Sequence, residues 1–355
     1  MHRNFDGRRH KSTLETKGAM PVKIDPYDAA RRSVYSTAAG SADNGAITLG
    51  LVNNMPDAAL ESTEAQFSGL LSAAAGSRPL HLRFCSFPEL PRGIDAREHI
   101  GRSYWPIETL LAERPDALIV TGTEPIAARL PDDPYWSRLT ALMEFAEQHT
   151  AASIWSCLAA HAAAEYFDGI KRRRLPEKRC GVYVHSLLPR HPLLAGVAAP
   201  LAMPHSRWNE LPVDELRVAG YQVLSFAPET GADAFVRHER SLMLFFQGHP
   251  EYEDTTLLKE YRRDVGRYLS GQQAHYPTRP HGYLSPEAIA LLERFKERAI
   301  AERTPSLLEQ FPFAAVAAGL QNTWRPAAVT LYRNWLDFIA TGRTRGAEEV
   351  SLAGL

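Results

Sequence analysis

Short apolar runs and helical stretches alternate along most of the chain. Ala46-Ile47-Thr48-Leu49-Gly50-Leu51-Val52 is an almost continuous apolar run that predicts a buried strand, closed by Asn53-Asn54-Met55-Pro56. A helix is predicted from about Leu60 to Ala75, and Leu80 to Phe87 alternates apolar and polar positions as a second strand does. A looser segment containing Glu98-His99-Ile100 precedes a helix expected around Ile107 to Arg114. Asp116-Ala117-Leu118-Ile119-Val120 predicts a third strand, running into Thr121-Gly122-Thr123-Glu124-Pro125. Tyr135 to Gln148 is amphipathic and helical, Ala152 to Ser156 is a fourth strand, and an Ala-rich helix follows from Leu158 to Phe167. Downstream, Asp233 to His238 and Leu242 to Phe246 predict a hairpin turning at Glu239 to Ser241. Helices expected from Thr255 to Leu269, over 285–303 and from Trp324 to Ile339 complete the pattern.

Strands and helices alternating at this spacing predict an α/β fold with a doubly wound, mostly parallel sheet and C-terminal packing helices. Ligands of such sheets bind beyond the carboxyl ends of the strands, where Asn53 to Pro56, Thr121 to Pro125 and Cys157 converge. Residues 1–45 are polar and predict a mostly disordered leader with one short helix at Tyr27 to Ser33; Met20 is an alternative start. Residues 46–340 are expected to form a single domain and 341–355 a frayed tail.

Composition narrows the class. The chain has 355 residues, 45% of them hydrophobic and 23% charged, with a net charge of −1. That near-neutral balance argues against a general nucleic-acid binder. Cys85, Cys157 and Cys180 form no CxxC pair and point to a reducing, cytoplasmic setting. No apolar run has the length of a membrane span, and no apolar signal core opens the chain.

The chemistry centres on Ser156-Cys157-Leu158, where the fourth strand turns sharply into a helix. A cysteine there stands clear of the sheet, with its sulfur at a helix N-terminus that stabilises negative charge. Alone, it reads more readily as a small packing residue. Gly248-His249-Pro250-Glu251, at the mouth of the second hairpin strand, reverses that balance. In chain order Cys157, His249 and Glu251 make a nucleophile, a base and a carboxylate that orients the base. His161 reads as a helix-surface or packing residue, and His185, His191 and His205 lack metal-ligand spacing, so no metal is expected.

The cysteine elbow followed by Gly-His-Pro-Glu resembles the class I glutamine amidotransferase-like (flavodoxin-like) fold. More closely, the chain resembles the homoserine O-succinyltransferase (MetA-type) family. The resemblance rests on Met20-Pro21-Val22-Lys23, on Asn53 to Pro56 with Thr63-Glu64-Ala65-Gln66-Phe67, and on Leu118 to Gly122 with Tyr135-Trp136. It continues through Lys178 with Gly181-Val182-Tyr183-Val184-His185, Pro204-His205-Ser206-Arg207-Trp208, Gly248 to Tyr252 with Arg263-Asp264, and Trp324-Arg325 with Asn334-Trp335-Leu336. It implies an acyl-CoA co-substrate, succinyl-CoA or acetyl-CoA, and L-homoserine as acceptor, with no permanently bound cofactor and a homodimer. It implies that Cys157 is acylated, that His249 is the base and Glu251 its partner, and that Arg263 binds the acceptor carboxylate. Lys178, Ser206 and Arg207 would line the acyl and acceptor pocket, and the Leu158 N–H would donate to the oxyanion.

The chain departs from the family in two places. Where the family carries lysines after Met-Pro, Asp57 and Ala58 stand here. In the family a small residue after the third strand admits succinyl and a glutamate favours acetyl. Thr123-Glu124-Pro125-Ile126 fits neither pattern, although the balance leans to succinyl-CoA. Serine is an alternative acceptor. Lys171-Arg172-Arg173-Arg174 reads as a solvated loop, with attraction of CoA phosphates as the alternative. Glutamine amidotransferase-like hydrolysis is a rival activity; that class flanks its cysteine with glycines at the positions held here by Trp155 and Ala159. A non-enzymatic binding protein is a second rival, opposed by the intact Cys157, His249 and Glu251.

Overall fold

The computed structural model describes residues 22–28, 45–188 and 190–353, with side chains through residue 342. In chain order the strands are β1 (Val22–Ile24), β2 (Ile47–Val52), β3 (Leu80–Cys85), β4 (Ala117–Val120), β5 (Ala152–Ser156) and β6 (Arg173–Leu187). Then come β7 (Leu201–Glu210), β8 (Gln222–Val223), β9 (Ser225–Ala227), β10 (Gly231–Ala232), β11 (Ala234–His238) and β12 (Leu242–Phe246). The main sheet has the order β1-β3-β2-β4-β5-β12-β11-β8. It is parallel from β1 to β12 and antiparallel at β11 and β8.

Strand periodicity explains how the sheet is covered on both faces. Ile47, Leu49 and Leu51 of β2, Ile119 of β4, Ile154 of β5 and Leu244 of β12 point into one core. That core is closed by the Leu60–Ala75 and Arg325–Ala353 helices, through residues such as Phe67, Leu331 and Trp335. Val52, Leu118, Trp155, Met243 and Phe245 point the other way, against the Ile107–Ala112, Trp136–His149 and Leu158–Asp168 helices. A third cluster, built from the Thr256–Leu269, Pro286–Glu302 and Phe313–Ala317 helices, forms the C-terminal packing layer.

One register places the site. β12 pairs with β5 in parallel, with Phe246 opposite Ser156. The residues that follow the two strands, Cys157 and Gln247 onward, therefore leave the same carboxyl edge side by side.

Four features differ from the sequence expectation. A second, four-stranded sheet, β10-β9-β6-β7, stands apart from the main one. Its fifteen-residue β6 begins at Arg173, within the basic segment Lys171 to Arg174 expected as a loop. Charged residues there hide the alternation, and the β6–β7 register shifts between Arg174 and Arg179. Arg173 pairs with Glu215 at 2.5 Å and Arg174 stacks 4.3 Å over the Trp208 ring. The segment around His99 is a helix, Ile94–Ser103, which its sequence does not announce because its single buried residue, Ala96, leaves little apolar periodicity to read. Within the expected leader, Val22–Ile24 adds an edge strand beside β3; most of the expected Tyr27 to Ser33 helix lies outside the described residues. The last helix runs on to Ala353, past the point where fraying was expected.

Candidate active site

Cys157 occupies a backbone conformation that only the turn explains. Its φ is +53° and its ψ −113°, between β5 and the Leu158–Asp168 helix. For a non-glycine residue that geometry costs about 1–3 kcal/mol and persists only where the surroundings hold it. They do: the Cys157 N–H donates to Phe246 O at 2.8 Å, and the Cys157 carbonyl accepts from the Ala160 and His161 N–H groups. The helix that follows buries Ala159, Ala160, Ala162, Ala163 and Ala164, so its small residues let it seat close under the sheet edge. Cys157 is partly exposed, whereas Cys85 and Cys180 are buried. Burial raises the Cys85 thiol and pushes Cys180 up to about 12, which leaves both as poor nucleophiles.

The space before the Leu158 N–H is kept open by a glycine. A Cβ on Gly122 would lie 3.0 Å from the Leu158 nitrogen. As the first N–H of a helix, that group has no i−4 partner. The loop carrying Gly122 is fixed from both sides. Thr121 Oγ1 accepts from the Asn54 N–H at 2.8 Å, and the Asp133 carboxylate accepts from the Ile126 and Ala127 N–H groups at 2.8 and 2.9 Å. All three loops expected at the carboxyl edge therefore meet there.

His249 leaves β12 through Gly248, whose N–H donates to Asp233 Oδ1 at 2.8 Å. The turn needs glycine, since a Cβ would lie 2.6 Å from Met203 and 2.7 Å from Asp233. The His249 N–H donates to Pro204 O at 2.8 Å. His249 Nδ1 lies 2.8 Å from Glu251 Oε1, so the carboxylate fixes the proton on Nδ1 and leaves Nε2 as the nitrogen available to Cys157. Burial alone would lower the imidazole pKa. The Glu251 charge and the nearby Cys157 outweigh it, and His249 lies well above the ordinary histidine value.

Beside Cys157, His249 and Glu251 is a partly buried ionic network. Lys178 on β6 donates to Asp264 Oδ2 at 2.6 Å and lies 3.5 Å from Glu260 Oε2. Ser206 Oγ donates to Glu260 Oε2 by a short bond, and Tyr252 Oη donates to Glu260 Oε1 at 2.6 Å. Arg263, with a half-exposed side chain, reaches Asp264 at 3.1 Å and Glu260 at 3.9 Å. Burial opposes the charge on Glu260, but Lys178 and Arg263 outweigh it and hold the carboxyl below its usual range. Lys178 is likewise raised, against burial, by Glu260, Cys180 and Asp264.

The structure thus brings Lys178, Ser206 and Arg263 together and separates Arg207 from them. The resemblance implies a pocket role for Arg207, but consecutive strand residues face opposite ways. Its guanidinium turns inward, donating to Asn209 O at 2.6 Å, Thr230 O at 2.5 Å and His205 Nδ1 at 3.3 Å. Burial, with Arg179 nearby, lowers it to about 10.

His161 is buried rather than on the helix surface; it bonds Gln247 Oε1 at 3.0 Å, and burial drives its pKa to about 3. His185, His205 and Asp233 gather into one buried group despite their spacing in the chain. Both imidazole lone pairs are committed, however. His205 Nδ1 accepts from Arg207, and His185 Nε2 accepts from Thr230 Oγ1 at 2.7 Å while its Nδ1 faces Tyr183 O at 3.2 Å. His205 Nε2 is buried without a hydrogen-bond partner and lies 3.7 Å from Asp233 Oδ1.

Sequence reasoning passed over Gly122, Tyr252 and Glu260. Glu260 carried a readable signal: it lies three residues before Arg263, on the same face of the Thr256–Leu269 helix. Gly122 matters through its approach to Leu158, and Tyr252 through a stack on His249, three residues before it.

Comparison with known proteins finds relatives of the chain. The family profile described as Homoserine O-succinyltransferase matches residues 30–345. A homoserine O-succinyltransferase of Rhodopseudomonas palustris is 44% identical over 295 residues, covering 83% of this chain and 89% of the relative. One from Methylorubrum extorquens is 43% identical over 294 residues, covering 83% and 87%. Among solved structures, a glutamine amidotransferase from Methylobacillus flagellatus aligns over 83% of this chain and 95% of its own, at 14% identity and a TM-score of 0.48.

Proposed function

The chain belongs to the homoserine O-succinyltransferase family, and from that premise we propose that it transfers the succinyl group of succinyl-CoA to the γ-hydroxyl of L-homoserine, in methionine biosynthesis, through a thioester on Cys157. The observation that carries this reading is the shared edge of β5 and β12. It sets a cysteine in a strained elbow against a histidine whose far nitrogen is held by a carboxylate at 2.8 Å.

In the first half-reaction the Cys157 proton already rests on His249 Nε2, whose raised pKa favours the thiolate–imidazolium pair, and the sulfur attacks the thioester carbonyl of succinyl-CoA. The oxyanion forms before the Leu158 N–H, in the space left by Gly122. Collapse expels the CoA thiolate, which takes the proton back from His249. In the second half-reaction His249 removes the homoserine γ-hydroxyl proton, the oxygen attacks the acyl-enzyme, and Cys157 leaves and is reprotonated. Arg263 and Glu260 present opposite charges, which suits an amino-acid zwitterion; Arg263 is the partner for its carboxylate.

The test is product identity. The chain is incubated with succinyl-CoA or acetyl-CoA and with homoserine or serine. O-succinylhomoserine as the main ester is the expected result. Acetylhomoserine or an acylserine as the main ester would correct the donor or the acceptor. No ester from any pair would overturn the assignment.

A further inference from the structure

We propose that Tyr252 is a positioning residue that ties the ring of His249 to the carboxylate of Glu260, so that one side chain sets the base and organises the acceptor site. The proposal rests on the acyl-transfer reading above and extends it.

Tyr252 lies face to face with His249: the ring centroids are 4.2 Å apart and the planes differ by 15°. Glu251 holds the imidazole by one edge, at Nδ1, which leaves the ring free to tilt about that bond. A parallel phenol on its face removes that freedom. It also presents a π-face to the imidazolium that forms when His249 takes a proton. At its other end the phenol donates to Glu260 Oε1 at 2.6 Å. The remaining carboxylate oxygen, Oε2, serves Ser206 and Lys178, so Tyr252 supplies the bond on the other side of Glu260. Burial raises the Tyr252 phenol well above its ordinary value and keeps it a donor.

The residue is anchored by its backbone as well. Its N–H donates to His249 O at 3.2 Å. Its carbonyl accepts from Asn322 Nδ2 at 3.0 Å and from the buried Trp324 Nε1 at 2.8 Å. These bonds come from a segment about seventy residues further on, which packs against Tyr252 in the Cys180, Val182 and Leu257 cluster. Ring and N–H both engage His249, the hydroxyl engages Glu260, and the carbonyl engages Asn322 and Trp324. A side chain that only filled space would need neither the parallel stack nor the hydroxyl bond.

Two substitutions separate the roles: Tyr252→Phe keeps the stack and loses the Glu260 bond, and Tyr252→Leu loses both. On the full chain, rapid-quench intact mass follows two rates: acylation of Cys157 by succinyl-CoA alone, then discharge when homoserine is added. In Y252F discharge is expected to slow about tenfold, the scale of one hydrogen bond to a charged group, and acylation by clearly less. In Y252L acylation is expected to slow as well, with its pH dependence moved to lower pH as the imidazolium loses the aromatic face. Equal slowing of both steps in Y252F, or equal acylation by Y252F and Y252L, overturns the proposal. Should Y252L not fold, the ratio of the two rates in Y252F decides alone. A wild-type chain that takes no acyl group would overturn the acyl-transfer reading and this proposal with it. A wild type that acylates beside a Y252F of unchanged rate ratio would overturn this proposal only.

Discussion

Gly122 stands directly against Leu158: a Cβ built on the glycine would lie 3.0 Å from the Leu158 nitrogen and 3.2 Å from its Cβ. The contact joins the loop after β4 to the first N–H of the nucleophile's helix. A side chain at 122 would crowd the space in which the account places the oxyanion.

Gly122→Ala is therefore expected to lower kcat/KM for succinyl-CoA about 10- to 100-fold, somewhat less than removal of an oxyanion donor costs. Its melting temperature should change little, because only one methyl group is added at the sheet edge. Steady-state kinetics beside thermal unfolding checks this. Unchanged kinetics would remove the Leu158 N–H from the proposed oxyanion site.

The His249–Glu251 pair makes stability depend on pH in a defined sense. The folded pKa of His249 is raised well above 6.5. The pair's contribution is then fully present below the unfolded histidine value, about 6.5, and is lost as pH rises through the folded value. In Glu251→Gln the folded pKa falls. The stability gap between wild type and variant should be largest below about pH 6.5 and narrow above it. Denaturant unfolding across pH measures the gap, and NMR titration of the ring measures the pKa. A gap that widens with rising pH would contradict the assignment.

Arg207 and Arg263 should fail in different ways. Arg207→Ala removes three buried bonds and leaves Asn209 O and Thr230 O without their donor, at a cost of about 3 kcal/mol. Arg207→Lys should recover little of this, because an ammonium cannot reproduce the guanidinium fork. Arg263→Ala removes a half-exposed guanidinium and should leave stability within about 1 kcal/mol. It should instead raise KM for homoserine about tenfold or more. Melting curves and homoserine KM values for the three variants decide. A large KM effect in R207A at unchanged stability would return Arg207 to the pocket.

The contrast between these arginines shows where the sequence was legible. β2, β5 and β12, and the helices between them, announce themselves because both faces of a parallel sheet are buried and the runs are apolar. The same regularity puts Cys157 and the His249 turn at one edge, since both follow strands. β6 was not readable, because its outward charges and its register shift interrupt the alternation. The opposed faces of Ser206 and Arg207 follow from that missed strand pairing. Gly122 acts through its approach to Leu158, 36 residues on, and the role of Tyr252 depends on how the turn after His249 stacks the two rings, which the motif alone does not show.

The central claim is a covalent thioester on Cys157. Its most direct test is the intact mass of the protein after mixing with succinyl-CoA in the absence of homoserine. The account predicts the added mass of one succinyl group, absent in Cys157→Ala and discharged when homoserine is supplied. A wild-type mass that never changes while O-succinylhomoserine accumulates would contradict it, because transfer would then proceed directly between the two substrates.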